Sequence, residues 1–220
     1  MRYLLMLCLI FSVLPGCAQQ KLTPEEIAAE RTRQLAMITR VYPDKKPEEI
    51  LLAADRIFRL ADDDYTVSHG PTALQAQRPW MMYMVISAAS GTDTWVVETT
   101  PEGNGTKVMA RHSGQSSSMM VSPVVTSSGS AGFGAGTTMP IQNMTTKPAI
   151  YQLFFARLDY FMGKQADWPT CRDADKMYTD GDLFPFCTVA NDRTPDGKSS
   201  MQRREAEDKA KPSGGVSIGG

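Results

Sequence analysis

The chain has 220 residues, 42% hydrophobic and 21% charged, with a formal net charge of −1. This is ordinary globular composition; it excludes a disordered polyelectrolyte and lacks the excess of basic residues that nucleic-acid binding needs. The length permits one domain, or one domain with tails.

The chain begins "MRYLLMLCLIFSVLPGC", with Arg2 ahead of an apolar run from Tyr3 to Leu14. About a dozen apolar residues fall short of the roughly 20 that a spanning helix needs. A cation, a short apolar stretch and a small residue before a cut site are the parts of a secretory signal. Leu14-Pro15-Gly16-Cys17 resembles the lipobox of bacterial lipoproteins, although Pro15 stands where that family usually has Ala, Ser or Thr. The resemblance implies that residues 1–16 are a signal peptide, that the Cys17 sulfur carries a diacylglycerol, and that the new amine takes a further acyl chain such as palmitate. Ala18 follows, where Asp would favour inner-membrane retention, so the expected location is the periplasmic face of the outer membrane. Stable anchoring takes two chains, and three are implied. No other stretch is apolar enough for a spanning helix, so the mature chain is expected to be a soluble body on a lipid tether. An ordinary signal with a chance cysteine at its cut site is the other reading.

Residues 17–46 form a lipidated tether that contains a helix. Thr23 suits an N-cap, Pro24 the first helical position, and Glu25 and Glu26 the first turn. Its apolar residues are thinly spread, and "YPDKKP" breaks it. A single α+β domain is expected over 47–190. It opens with a helix from Pro47 to near Asp62, with Ile50, Leu51, Ala54, Ile57, Phe58 and Ala61 on one face.

The period then changes to two. "YTVSH" and "ALQAQR" flank a turn at Gly70-Pro71, and "WMMYMVISAA" reads as a central strand covered on both faces. "TWVVETT" and "TKVMARH" flank a hairpin turn at Asn104-Gly105. A Ser/Gly-rich insertion at 113–147 is either a two-stranded extension with its tip at 129–136 or a mobile loop. Pro148 starts the last helix and Gly163 ends it, with a stripe of Ile150, Leu153, Phe154, Leu158 and Phe161. Residues 191–220 lack apolar anchors and read as a disordered tail. The fold class is α+β: an antiparallel meander of about four to six strands packed on a long C-terminal helix, with a preceding N-terminal helix. In architecture alone it resembles the helix-grip domains of envelope lipoproteins.

Cys8 leaves with the signal and Cys17 takes lipid, leaving Cys171 and Cys187 as an even pair in an oxidising compartment. A disulfide between them closes a short loop and contributes roughly 3 kcal/mol. The rival metal reading lacks the close ligand spacing zinc shows. Asp62-Asp63-Asp64 with nearby His69 is a cation candidate, set against a solvated helix end. His69 and His112, the two histidines, are acid–base candidates if their strands bring them together. "GFGAG" at 132–136 lacks the strand-before, helix-after setting of a phosphate loop.

No catalytic constellation, metal site or cofactor is expected. The leading reading is a non-enzymatic structural or accessory component of an envelope assembly. It would meet the membrane through its lipid and an envelope protein through the insertion, with Phe133 as the contact candidate. The alternative is a carrier of lipid or another apolar ligand, in a groove between sheet and helix lined by Trp80, Met82, Met84, Trp95 and Phe154.

Overall fold

The computed structural model describes residues 22–84, 87–125, 131–137, 141–144, 147–177, 183–184, 186–188, 191–199, 202 and 205–206. It is an α+β structure with one antiparallel sheet. Residues 1–21, which include the expected signal peptide and Cys17, lie outside the described residues.

The chain divides at residue 34 into a short N-terminal unit and a larger one. The N-terminal unit holds most of helix α1 (Pro24–Ile38). Thr23 caps it as expected: the Glu26 N–H donates to Thr23 Oγ1 at 3.2 Å, and the Thr23 N–H donates to the Glu26 carboxylate at 2.7 Å. This reciprocal capping box holds the Glu26 carboxyl below its usual range. α1 buries no residue, as its sparse apolar pattern implied.

The larger unit begins with β1 (Thr39–Tyr42), followed by α2 (Pro47–Ala61), β2 (Thr66–His69), β3 (Ala73–Met84), β4 (Ser87–Glu102) and β5 (Gly105–Val125). Then come β6 (Ala131–Thr137), β7 (Ile141–Met144), α3 (Pro148–Phe161) and α4 (Cys171–Met177). The hydrogen-bonded path across the sheet is β1-β5-β4-β3-β2. β5 is the spine. One edge pairs with β4 from Gly105 to Met120; the other takes β1 at Thr106–Met109, β7 at Ser113–Ser116 and β6 at Met119–Val125. The insertion is therefore strand-forming, but the expected tip at 129–136 is mostly strand: Ala131–Thr137 is β6 and carries the glycines of "GFGAG", and β7 is a further strand beyond it.

One face of the sheet is apolar because alternate residues point to it. Leu74 and Ala76 of β3, Trp95 and Val97 of β4, and Val108 and Ala110 of β5 are buried there. α2 lays Ile50, Ile57 and Phe58 on this face, all fully buried, each contributing about 1.5–3 kcal/mol. α3 adds Ile150, Leu153, Phe154 and Leu158. Phe154 stacks on Trp95 at 5.4 Å and on Phe58 at 5.7 Å, which joins the two helices to β4.

Three expectations need correction. "WMMYMVISAA" is not one central strand: β3 ends at Met84 and β4 starts at Ser87, so the chain reverses inside the run. Nor are both faces covered, since Met81 is 60% exposed and Tyr83 79%. The cause is that Met81 and Tyr83 stand on the face opposite Leu74 and Ala76, the side that α2 and α3 do not cover. The loop of the β4–β5 hairpin is Gly103-Asn104 rather than Asn104-Gly105. Gly103 has φ +61°, the conformation that favours glycine at the first loop position. Gly105 pairs with Glu102 and passes so close to the Tyr42 backbone that no Cβ fits. Finally, Asn191–Ser199, assigned from composition to a disordered tail, makes a turn closed by an Arg193–Ser199 bridge. The Arg193 N–H donates to the Leu60 carbonyl at 2.8 Å, fastening this turn to the end of α2.

Candidate functional site

Where the apolar core ends, the same sheet face becomes polar. Arg78 on β3, Asp93 on β4 and His112 on β5 continue the buried rows of Ala76, Trp95 and Ala110. The Tyr65 hydroxyl donates to one Asp93 oxygen, and His112 Nε2 meets the other. The His112 N–H donates to the Tyr151 hydroxyl at 3.1 Å. Beside this chain, Arg78 donates to Asp62, whose carboxylate also takes the Asn191 amide at 2.8 Å.

A Tyr–Asp–His chain has the connectivity of a proton relay, but this one is sealed. Asp93 is 0% exposed, His112 3% and Tyr65 4%, with the Trp95 ring 4.8 Å from the imidazole. No substrate reaches Asp93 in this arrangement, because catalysis needs the group within hydrogen-bond reach of a reacting proton. The cluster satisfies buried polar groups and fixes the alignment of β3, β4 and β5.

Burial, then the neighbouring Asp93 carboxylate, pushes the Tyr65 hydroxyl well above its usual range. Burial also raises Tyr42 and Tyr151. A phenol with a raised folded pKa keeps its proton in the folded state after the unfolded chain has released it. The stability it contributes is intact below about pH 10 and falls above it. Three such groups predict a loss of up to about 4 kcal/mol per pH unit above pH 10. Urea titrations at pH 8, 10 and 11 check this; a midpoint unchanged at pH 11 would contradict it.

The second buried polar node lies on α3. Arg157, 0% exposed, donates to Asp192 at 2.7 Å and to the Pro169 carbonyl at 3.1 Å. The expected disulfide joins Cys171 to Cys187, with Cα atoms 5.6 Å apart. Arg157 lies 3.4 Å from Cys187 Sγ, and the Cys171 N–H donates to the other Asp192 oxygen at 2.8 Å. Cys171, Cys187 and Asp192 are close enough to share an ion. With the sulfurs joined and a guanidinium already on Asp192, that place is filled by Arg157, and the metal reading fails.

The other sequence candidates separate. Asp62 holds Arg78 and Asn191, and Asp63 holds Arg193, so two of the three carboxylates are already paired with side chains. His69 pairs with Asp55 at 3.5 Å on the edge strand, whereas His112 lies three strands away, about 14 Å at ordinary sheet spacing. The groove residues do not line one cavity. Trp95 and Phe154 are stacked inside the filled core, Trp80 packs on Phe184 at 5.4 Å, and Met82 is 44% exposed. The Met84 side chain lies outside the described residues. Phe133 is placed on β6 opposite Pro123.

At the far ends of β3, β4 and β5, an open cleft of about 460 Å³ is lined by Pro79, Trp80, Met81, Thr92, Gln115 and Ser117, among others; among the described residues, Trp80 is the one predicted groove residue that lines it. Tyr83 is exposed on the same face as Met81, and Met82 on the other. Compared with protein-family models, with curated proteins and with solved structures, the chain matches none of them.

Proposed function

We propose that this chain is a lipoprotein anchored through Cys17 to the periplasmic face of an outer membrane, acting as a non-enzymatic component of an envelope assembly. One observation carries the working surface: Met81 and Tyr83, large apolar residues exposed on the helix-free face of β3 beyond the core. Large apolar side chains exposed together on one face mark a contact site more often than a bare surface. The disulfide is a second support, since such bonds persist in oxidising compartments. The helix-grip resemblance is part of this reading and rests on α2 and α3 lying on one sheet face.

Two measurements in cells test it. Metabolic labelling should place palmitate on the wild-type chain and none on Cys17→Ala. A photocrosslinking residue at Tyr83 should give an adduct, to protein or to lipid, while one at the polar position Gln75 gives none. A chain that takes no acyl label and fractionates with the cytoplasm would sink the reading.

A further inference from the structure

The strands outlast the core, and where they do so charge disappears. Residues 79–92 and 113–146 contain no Asp, Glu, Lys, Arg or His, in a chain that is 21% charged. The boundary is sharp: Arg78, Asp93, His112 and Lys147 are the residues that flank these two stretches. Three of the four form the polar layer that closes the helix-covered core. Beyond it lie the far ends of β3, β4 and β5, together with β6 and β7.

We propose that this charge-free part of the sheet embeds in a lipid bilayer. The inference rests on the anchored, extracytoplasmic reading above and says which surface the exposed patch meets. A protein partner tolerates charge at the rim of its contact. Hydrocarbon does not: a Lys or Arg on the lipid face of a strand costs about 2–4 kcal/mol at mid-bilayer. Met81 and Tyr83 are apolar exposures on one face that hydrocarbon would cover.

Length and register agree with this. β5 continues from Ser113 to Val125, and β6 and β7 return along it. A tilted strand needs about 9–11 residues to cross the apolar layer, and this arm exceeds that. Register also places the arm on one face: Tyr83 pairs with Ala88 and Ala88 with Met119, so Met119, Val121, Pro123 and Val125 share the sheet face of Met81 and Tyr83, away from the helices. Lipid on that one side would meet alternate positions of the strand. That no described helix is long and apolar enough to cross a membrane leaves strands untouched. Open sheet edges do not persist in hydrocarbon, so the embedded strands pair with those of neighbouring copies.

The test uses the full acylated chain, reconstituted in vesicles of phosphatidylcholine and phosphatidylglycerol. A fluorophore is placed on a cysteine introduced singly from Met119→Cys to Val125→Cys, with Cys171 and Cys187 left in their disulfide. Lipids brominated in the acyl chain report contact with hydrocarbon. Quenching should alternate, at least twofold stronger at 119, 121, 123 and 125 than at 120, 122 and 124, and amine crosslinking should give oligomers. Val121→Lys should abolish the quenching while leaving Tm unchanged, because the position lies outside the helix-covered core. Absence of quenching at all seven positions overturns the proposal and makes a protein the occupant of the patch. A quenched but monomeric chain overturns it too. Acyl labelling of Cys17 reports the anchor separately, so failure of one reading is not mistaken for failure of the other.

Discussion

Arg157→Ala should lower stability by about 3–5 kcal/mol, the range for removing one partner of a buried ion pair. At roughly 2–4 °C per kcal/mol for a chain of this size, the melting temperature falls by about 6–20 °C. The substitution leaves the Asp192 carboxylate, 0% exposed, without its guanidinium. It also removes the cation lying 4.8 Å from the Trp168 ring and the donor to the Pro169 carbonyl. Burial already holds the Arg157 pKa below its usual range, so the pair carries a desolvation cost that Asp192 offsets most. Replacing both charges, as Arg157→Met with Asp192→Asn, should therefore cost less than Arg157→Ala alone. A calorimetric cycle over the single and double variants measures the coupling. A drop under 1 kcal/mol for Arg157→Ala would show that the node contributes little.

Asp93→Ala is the second large effect, expected at about 3–5 kcal/mol by the same reasoning. It strands the Tyr65 hydroxyl and His112 Nε2, both buried, and each unsatisfied group costs about 1–3 kcal/mol. Asp93→Asn keeps an acceptor for Tyr65 and offers an amide to the imidazole, so it should lose about half as much. Comparing the two in urea separates lost hydrogen bonding from lost charge. Equal losses would mean that the carboxylate charge carries the whole effect.

What the sequence made legible followed from local pattern. Pro47-Glu48-Glu49 and the spacing of Ile50, Ala54, Ile57 and Phe58 were enough to place α2, and the stripe from Ile150 to Leu158 placed α3. Period two and the glycines around Asn104 placed the β4–β5 hairpin to within one residue. Elements defined by distant partners were hidden. β1 has four residues that fit the end of a helix as well as a strand, and its pairing with Thr106–Met109 decides the matter. The reversal after Met84 carries neither Gly nor Pro, so nothing local marks it.

The site was less legible still. Arg157 sits in an apolar stripe, and its partner Asp192 lies 35 residues further on, in a stretch whose composition resembles a tail. A signal was present in "TPDGK", a turn sequence that closes the ordered segment. Tyr65, Asp93 and His112 come from three separate strand regions, and only register brings them together. The charge gap over 79–92 and 113–146 could be read from the sequence, but its meaning required seeing those stretches side by side in one sheet.

Because β5 runs unbroken from Gly105 to Val125, the molecule has a mechanical axis. Its ladder with β4 extends from Glu102–Gly105 to Ser87–Met120, and such hydrogen bonds lie perpendicular to the strands. A pull along β5 from its charge-free end loads the whole ladder in shear, many bonds at once, whereas a sideways pull would peel them singly. Force applied at the far end therefore arrives in the helix-covered core as a displacement of one stiff strand, at His112 beside Trp95.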